Sequence, residues 1–125
     1  MSTYGTALVE GGNLVANADL SAKQFYAVKQ TTTPRKVDLA STGGENITGL
    51  LQNTPKAGEA AEICHSGFGK AIAGTGGFTA GDALQTETGT GKLITQTSTN
   101  AKVAVACETC AAGEIGLVRV VPTPG

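Results

Sequence analysis

Gly49-Leu50-Leu51-Gln52-Asn53-Thr54-Pro55-Lys56-Ala57-Gly58-Glu59-Ala60-Ala61-Glu62-Ile63 lies without a gap over Ala104-Val105-Ala106-Cys107-Glu108-Thr109-Cys110-Ala111-Ala112-Gly113-Glu114-Ile115-Gly116-Leu117-Val118. The reading of these two stretches decides the fold. Each runs as a short apolar strand, a polar bend and a second strand. The bends share an Ala-Gly-acid triplet, Ala57-Gly58-Glu59 and Ala112-Gly113-Glu114, and a third copy stands between them at Ala80-Gly81-Asp82. Glycine gives the backbone the freedom a tight reversal needs, and the acid keeps the bend in water, so the repeated unit is a β-hairpin.

The rest of the chain carries the same texture. Its 125 residues make one domain around one core. Eighteen glycines, two Tyr, three Phe, no Trp and only 15% charged residues describe short strands rich in Thr and Val, separated by glycine bends. About eight such strands, with turns at near-regular spacing, predict an all-β fold, a small barrel- or sandwich-like domain over residues 25–125. Residues 1–24 precede it with no strand pattern. They hold Gly, Asn, Ala and Ser around isolated apolar residues, Leu8, Val9, Leu14, Val15 and Leu20. That composition fits an extended arm lying on a neighbour, and equally an unanchored terminus. A short helical turn over 17–24, capped by Asn17 or Asp19, is the one helical expectation.

Further along, Phe25–Gln30 and Lys36–Ala40 alternate as strands around a bend at Thr31–Arg35, where Pro34 blocks ladder pairing. Gly74–Leu84 is a glycine-dense loop ending in the second acidic turn, Thr86–Thr95 a further hairpin, and Pro122 stops the last strand.

Charge narrows the function classes. A net charge of −1 and scattered Lys and Arg leave no footprint for nucleic acid or an anionic membrane. No apolar run approaches the roughly 20 residues that span a bilayer, and Met1-Ser2-Thr3-Tyr4 lacks the start of a secretion signal, so folding in a cytosol is expected. Few large core residues also imply that subunit contacts supply part of the apolar burial.

Candidate chemistry is sparse. Cys107-Glu108-Thr109-Cys110 has the spacing of a redox pair or half a zinc site. Redox pairs of this kind open a helix, whereas this one lies in a hairpin bend. A zinc site would need Cys64 and His65, adjacent residues that a strand points to opposite faces. Packing or turn use is the better account of the cysteines. His65 is the one histidine, without a nucleophile motif around it. Glu59, Asp82 and Glu114 could pair as catalytic carboxylates, but turn chemistry already explains each. Gly67-Phe68-Gly69-Lys70 and Gly89-Thr90-Gly91-Lys92 lack the full phosphate-loop spacing and read as hairpin tips. Asn46-Ile47-Thr48 fits a glycosylation acceptor only in a secreted chain. No catalytic residue, metal or cofactor is expected.

From Ala57 onward the order of elements resembles that of the capsid decoration (cement) proteins of tailed bacteriophages. The resemblance rests on Ala57–Ile63, Gly69-Lys70-Ala71, Phe78–Leu84, Gly91-Lys92-Leu93 and Ala112–Val120, about the last two thirds of the chain. Val103-Ala104-Val105-Ala106 and the Cys-x-x-Cys depart from the family's usual closing hairpin. The resemblance implies a virion protein on the outer surface of a phage head. It would be a homotrimer whose terminal arms bridge major capsid proteins and neighbouring decoration subunits. It also implies that the capsid-binding anchors are Tyr4, Leu8, Val9, Leu14, Val15 and Leu20. Three subunits acting together would gain avidity for the shell. The alternative is a carbohydrate- or receptor-binding β module of a phage tail fibre, for which the chain offers few aromatic platforms.

Overall fold

The computed structural model describes residues 7–10, 14–97 and 100–121, the first four as backbone only. The chain is all-β, as the repeat predicts. In order the strands are β1 (Ala7–Glu10), β2 (Val15–Ala16), β3 (Ala27–Gln30), β4 (Lys36–Leu39), β5 (Gly49–Leu51), β6 (Ile63–Ile72), β7 (Ala83–Thr86), β8 (Leu93–Thr95), β9 (Ala104–Ala106) and β10 (Ile115–Val120). They form one mixed sheet in the order β2-β4-β3-β5-β6-β10-β9-β7-β8, with β1 added on β6. The path is open, ending at β2 and β8, so the ladder does not close into a barrel. A single parallel bridge between Ala73 and Leu93 brings β8 back toward the end of β6.

The two repeats keep one register. Leu51 faces Ile63 and Leu50 faces Cys64 across β5 and β6. The residues aligned with them in sequence, Ala106 with Val118 and Val105 with Arg119, face each other across β9 and β10.

What lets one strand serve both halves of the open sheet is a bend in β6. Gly67 has φ of 83° inside the strand, a left-handed conformation that costs a side-chain-bearing residue about 1–2 kcal/mol. The strand doubles back there so far that a Cβ on Gly69 would lie 2.9 Å from Cys64 Sγ and 3.3 Å from its Cβ. The first half of β6 therefore pairs with β5 and β1, and the second with β10. Gly67–Lys70, expected as a hairpin tip, is this bend and the strand leaving it; the missing Cβ at Gly69 permits the close approach.

Alternation then divides the apolar residues between two cores. The row Ala27, Leu50, Cys64 across β3, β5 and β6 faces the larger core, shared with Ala71, Leu84, Leu93, Ala104, Val118 and Val120 from the other half of the sheet. Their neighbours Val28, Leu51 and Ile63 face a smaller core with Ala16, Leu20, Val37 and Ala61. Eight of the buried apolar residues among those described are alanines, and Phe78 is the one aromatic with them. Small side chains let the layers approach closely in place of bulky packing.

Residues 14–24 are part of the body. Val15 and Ala16 pair in parallel with Lys36 and Val37, the Leu20 amide donates to Pro55 O at 2.9 Å, and Ala16 O accepts from the Gly58 amide at 2.9 Å. The helical turn expected over 17–24 is instead a pair of successive turns, Leu20–Lys23 and Lys23–Tyr26, closed by amides of Lys23 and Tyr26. Asp19 Oδ1 accepts from the Ser21 amide at 3.0 Å, which starts the first turn and goes no further. Phe25, expected as the first residue of a strand, takes φ of 75° and lies outside β3.

Candidate functional site

The acidic turns are one device used repeatedly. In each triplet the carboxylate accepts the amide three residues before it: Glu59 from Lys56 at 2.8 Å, Asp82 from Thr79 at 2.9 Å, Glu114 from Ala111 at 2.8 Å. The acid's own amide donates back to the same residue's carbonyl, at 2.9, 2.9 and 3.0 Å. The central glycine has positive φ, which a turn with this pattern requires at its third position. Its amide donates outward, to Ala16 O, Ala106 O and Ala73 O respectively. Glu45 makes a fourth case, accepting from the Thr42 amide at 2.8 Å, with the Gly44 amide on Thr86 O. Sequence reading missed it because Gly43 replaces the alanine; the Gly-acid pair was the signal. These carboxylates are turn supports spread over the body.

The cysteines are likewise built into packing. Cys110 exchanges two backbone bonds with Phe78, at 2.9 and 3.0 Å, and its thiol lies against Gly116, where any Cβ would collide with it. Burial, then the nearby carboxylates of Glu108 and Glu114, push the Cys110 thiol up in pKa. Burial also pushes up that of Cys64. Both shifts disfavour the thiolate that redox or metal chemistry needs. Cys107 is exposed, and His65 points to solvent beside the buried Cys64. Among the described residues no group of three or more His, Cys, Asp or Glu is placed to hold a metal ion.

Of the predicted anchors, Tyr4 lies outside the described residues. Leu8 and Val9 are on β1, opposite Ser66 and Cys64 of β6, with an irregularity in register between them. Leu14 is half-buried against the smaller core, and Leu20 is only 3% exposed inside it. Val15 is half-buried, with its amide on Arg35 O at 2.9 Å.

A different surface stands out. Phe68, 38% exposed, and Ile115, 50% exposed, are the exposed large hydrophobics among the described residues. Both lie on the outward face of β6 and β10, where alternation buries Gly116, Val118 and Val120 and turns Ile115, Leu117 and Arg119 outward. Register sets them in rows: Ile115 beside Ile72, Leu117 beside Lys70, Arg119 beside Phe68 and Val105. Phe25 borders this face. Its amide donates to Leu51 O at 2.6 Å and its carbonyl accepts from the Ile72 amide at 3.3 Å, which holds an aromatic residue in a strained conformation beside Ile72. Next to it, Lys23 Nζ sits 4.9 Å from the Tyr26 ring centroid. Sequence reading missed this face because strands alternate too briefly to show which side a bent β6 turns outward.

Compared with known protein families and with curated proteins, the sequence matches none. Among solved structures, the chain is similar to the N base of the head fibre protein gp8.5 of bacteriophage phi29. The TM-score is 0.66 at 13% identity, over 94% of this chain and 98% of that one. At that identity the likeness is one of fold, and it extends over nearly the whole of both chains.

Proposed function

We propose that this chain is a structural protein of a bacteriophage virion, seated on the outer surface of the head. The observation that carries the reading is the shared fold with a phage head-fibre base over nearly the full length of both chains. The features of the chain agree with that work. Four of its carboxylates, Glu45, Glu59, Asp82 and Glu114, are committed to turns and two of its thiols to packing, while its outward face offers apolar contact area.

In the finer form of this proposal the chain is a decoration protein. It forms a homotrimer, bridges major capsid proteins and stabilises the shell by adding many modest contacts. The N-terminal segment, Tyr4, Leu8 and Val9 with Leu14 and Val15, supplies the contact to the shell; Leu20 serves the chain's own core. A second reading has a specific observation in its favour: the similar structure is the base of a head fibre, so this domain would be the foot of such a fibre. The chain acts in neither reading as an enzyme or with a cofactor.

Mass spectrometry of gradient-purified virions from the encoding phage tests the proposal. Recovery of the chain in stoichiometric amounts with the major capsid protein supports it; recovery only in the unassembled fraction of the lysate refutes it. Cryo-electron microscopy of the same particles separates the two forms. A repeated density spread over the shell marks a decoration protein, and a long projection rising from this domain marks a fibre base.

A further inference from the structure

We propose that the outward face of β6 and β10 is a docking surface for an acidic protein partner, one that presents apolar side chains bordered by carboxylates, and that on the virion this partner is the shell protein. The proposal rests on the virion reading and adds to it a second contact beside the N-terminal segment.

The chain itself supplies the comparison that singles out this face, because residues 14–63 and 71–118 build the same fold twice. Val15 and Ala16 pair in parallel with Lys36 and Val37, and Ala73 bridges in parallel to Leu93. Ala27 faces Leu50 across β3 and β5, and Ala83 faces Val105 across β7 and β9. The Gly58 amide donates to Ala16 O and the Gly113 amide to Ala73 O; the Leu20 amide donates to Pro55 O and the Phe78 amide to Cys110 O. Val15 bridges to Ala60 as Ile72 pairs with Ile115.

In the ungapped alignment Ile115 answers to Ala60 and Leu117 to Glu62. These positions are turned alike in both copies. Ala61, Gly116, Ile63 and Val118 are buried, whereas Ala60, Glu62 and Ile115 are exposed and Leu117 is half-buried. The first copy meets the needs of this fold with alanine and glutamate. The isoleucine and leucine of the second, on one face with exposed Phe68, are therefore held for a contact.

The charges say what covers it. Lys70, the register partner of Leu117, and Arg119, that of Phe68, are exposed on the same face. The ion pair found among the described residues is Lys29 with Glu45, so neither cation is matched by a carboxylate among them. The two nearest acids along the chain are turned elsewhere. Glu108 lies against Gly116 on the buried side, its Cδ 3.9 Å from where a Cβ would stand, and accepts the Leu117 amide at 2.8 Å. Glu114 accepts the Ala111 amide at 2.8 Å. An apolar face with two cations, in a chain of net charge −1, complements a partner that brings carboxylates. It does not complement itself. A twofold axis along β10 sets Arg119 against its own copy, and one across the strands at Leu117 sets Lys70 against its own.

Co-sedimentation of the full chain with heads of the encoding phage that lack it tests this. Wild type should pellet saturably. Ile115→Ala combined with Leu117→Glu, which writes the first copy's residues into the second, should weaken pelleting by about tenfold or more. Lys70→Glu combined with Arg119→Glu should do the same. Both variants are checked for an unchanged circular dichroism spectrum and unfolding temperature; if one fails to fold, the other decides. If wild type pellets and a folded variant pellets equally well, the proposal fails while the virion reading stands. If wild type itself stays in solution beside intact heads, both fail. The proposal is also overturned if sedimentation equilibrium shows that Ile115→Ala with Leu117→Glu breaks an oligomer that wild type forms alone, since a second copy would then own the face.

Discussion

Cys64 and Gly69 belong to the same strand, five residues apart, and lie against one another across its bend, with the Cys64 thiol 2.9 Å from where a Cβ on residue 69 would stand. The contact is what allows β6 to serve two halves of the sheet. Cys64 Sγ donates weakly into the bend, to Ser66 O at 3.5 Å and Phe68 O at 3.8 Å. Gly69→Ala is expected to destabilise the fold by about 1–3 kcal/mol through overpacking. Cys64→Ala makes room, so the double variant should lose less than the sum of the singles. Urea denaturation of the four proteins measures it; strict additivity would show that the bend is not held by this contact.

The acidic turns separate two kinds of cost. At Gly113, φ is 86° and nothing lies within 4 Å of where a Cβ would stand, so Gly113→Ala should cost about 1 kcal/mol for conformation alone. Gly77 also has positive φ, but there a Cβ would collide with the Cys110 carbonyl, and Gly77→Ala should be the more damaging of the two. Glu114→Ala, which removes the acceptor of the Ala111 amide, should cost about 1 kcal/mol. Thermal unfolding of the three variants ranks them; equal losses at Gly77 and Gly113 would refute the steric argument.

Acid should loosen the Gly74–Gly77 loop through Glu87. Hydrogen bonds from Thr75, foremost, and Thr90 hold the Glu87 carboxyl below its ordinary value. The bonds are from the Thr75 amide at 3.0 Å and the Thr90 hydroxyl at 2.7 Å. A carboxyl depressed in the folded state contributes its full stabilisation above the unfolded value, 4.5. That contribution is lost as pH falls through the lower folded value. Stability should therefore decline as pH falls from 4.5 toward that lower folded value, and Glu87→Gln should flatten that part of the curve. An unchanged acid limb in the variant would refute the role.

Thiol titration under native conditions should find one fast site. Cys107 is exposed, whereas Cys64 and Cys110 are buried with raised pKa values. Ellman's reagent is expected to react promptly at Cys107 and to reach the other two only on unfolding. Prompt reaction at Cys110 would return Cys107-Glu108-Thr109-Cys110 to consideration as a working thiol pair.

Most of the architecture is legible in the sequence because the Ala-Gly-acid turn is local chemistry. Glycine, acid and the amide three residues back all sit within four positions, so Gly58, Gly81 and Gly113 could be read as turns, and the ungapped repeat carried the register of β5–β6 onto β9–β10. The bend at Gly67 was not legible. A glycine within an alternating run looks the same whether it ends a hairpin or folds a strand over, and only the long-range contact of Gly69 with Cys64 decides. The packing of the N-terminal residues was hidden for the same reason: Leu14 and Leu20 look isolated in sequence, yet the layer that covers them is made by Leu51, Ala61 and Ile63 far along the chain. Phe68 and Ile115 were passed over because exposure belongs to the folded sheet and not to either strand alone.

The central claim, that this is a structural protein of a phage head, is tested most directly by co-sedimentation of the purified chain with heads of the encoding phage that lack it. Saturable pelleting with the heads, at a fixed ratio to the major capsid protein, is the predicted result. A chain that stays in the supernatant at every concentration, with heads that are intact and folded protein in solution, would contradict the account.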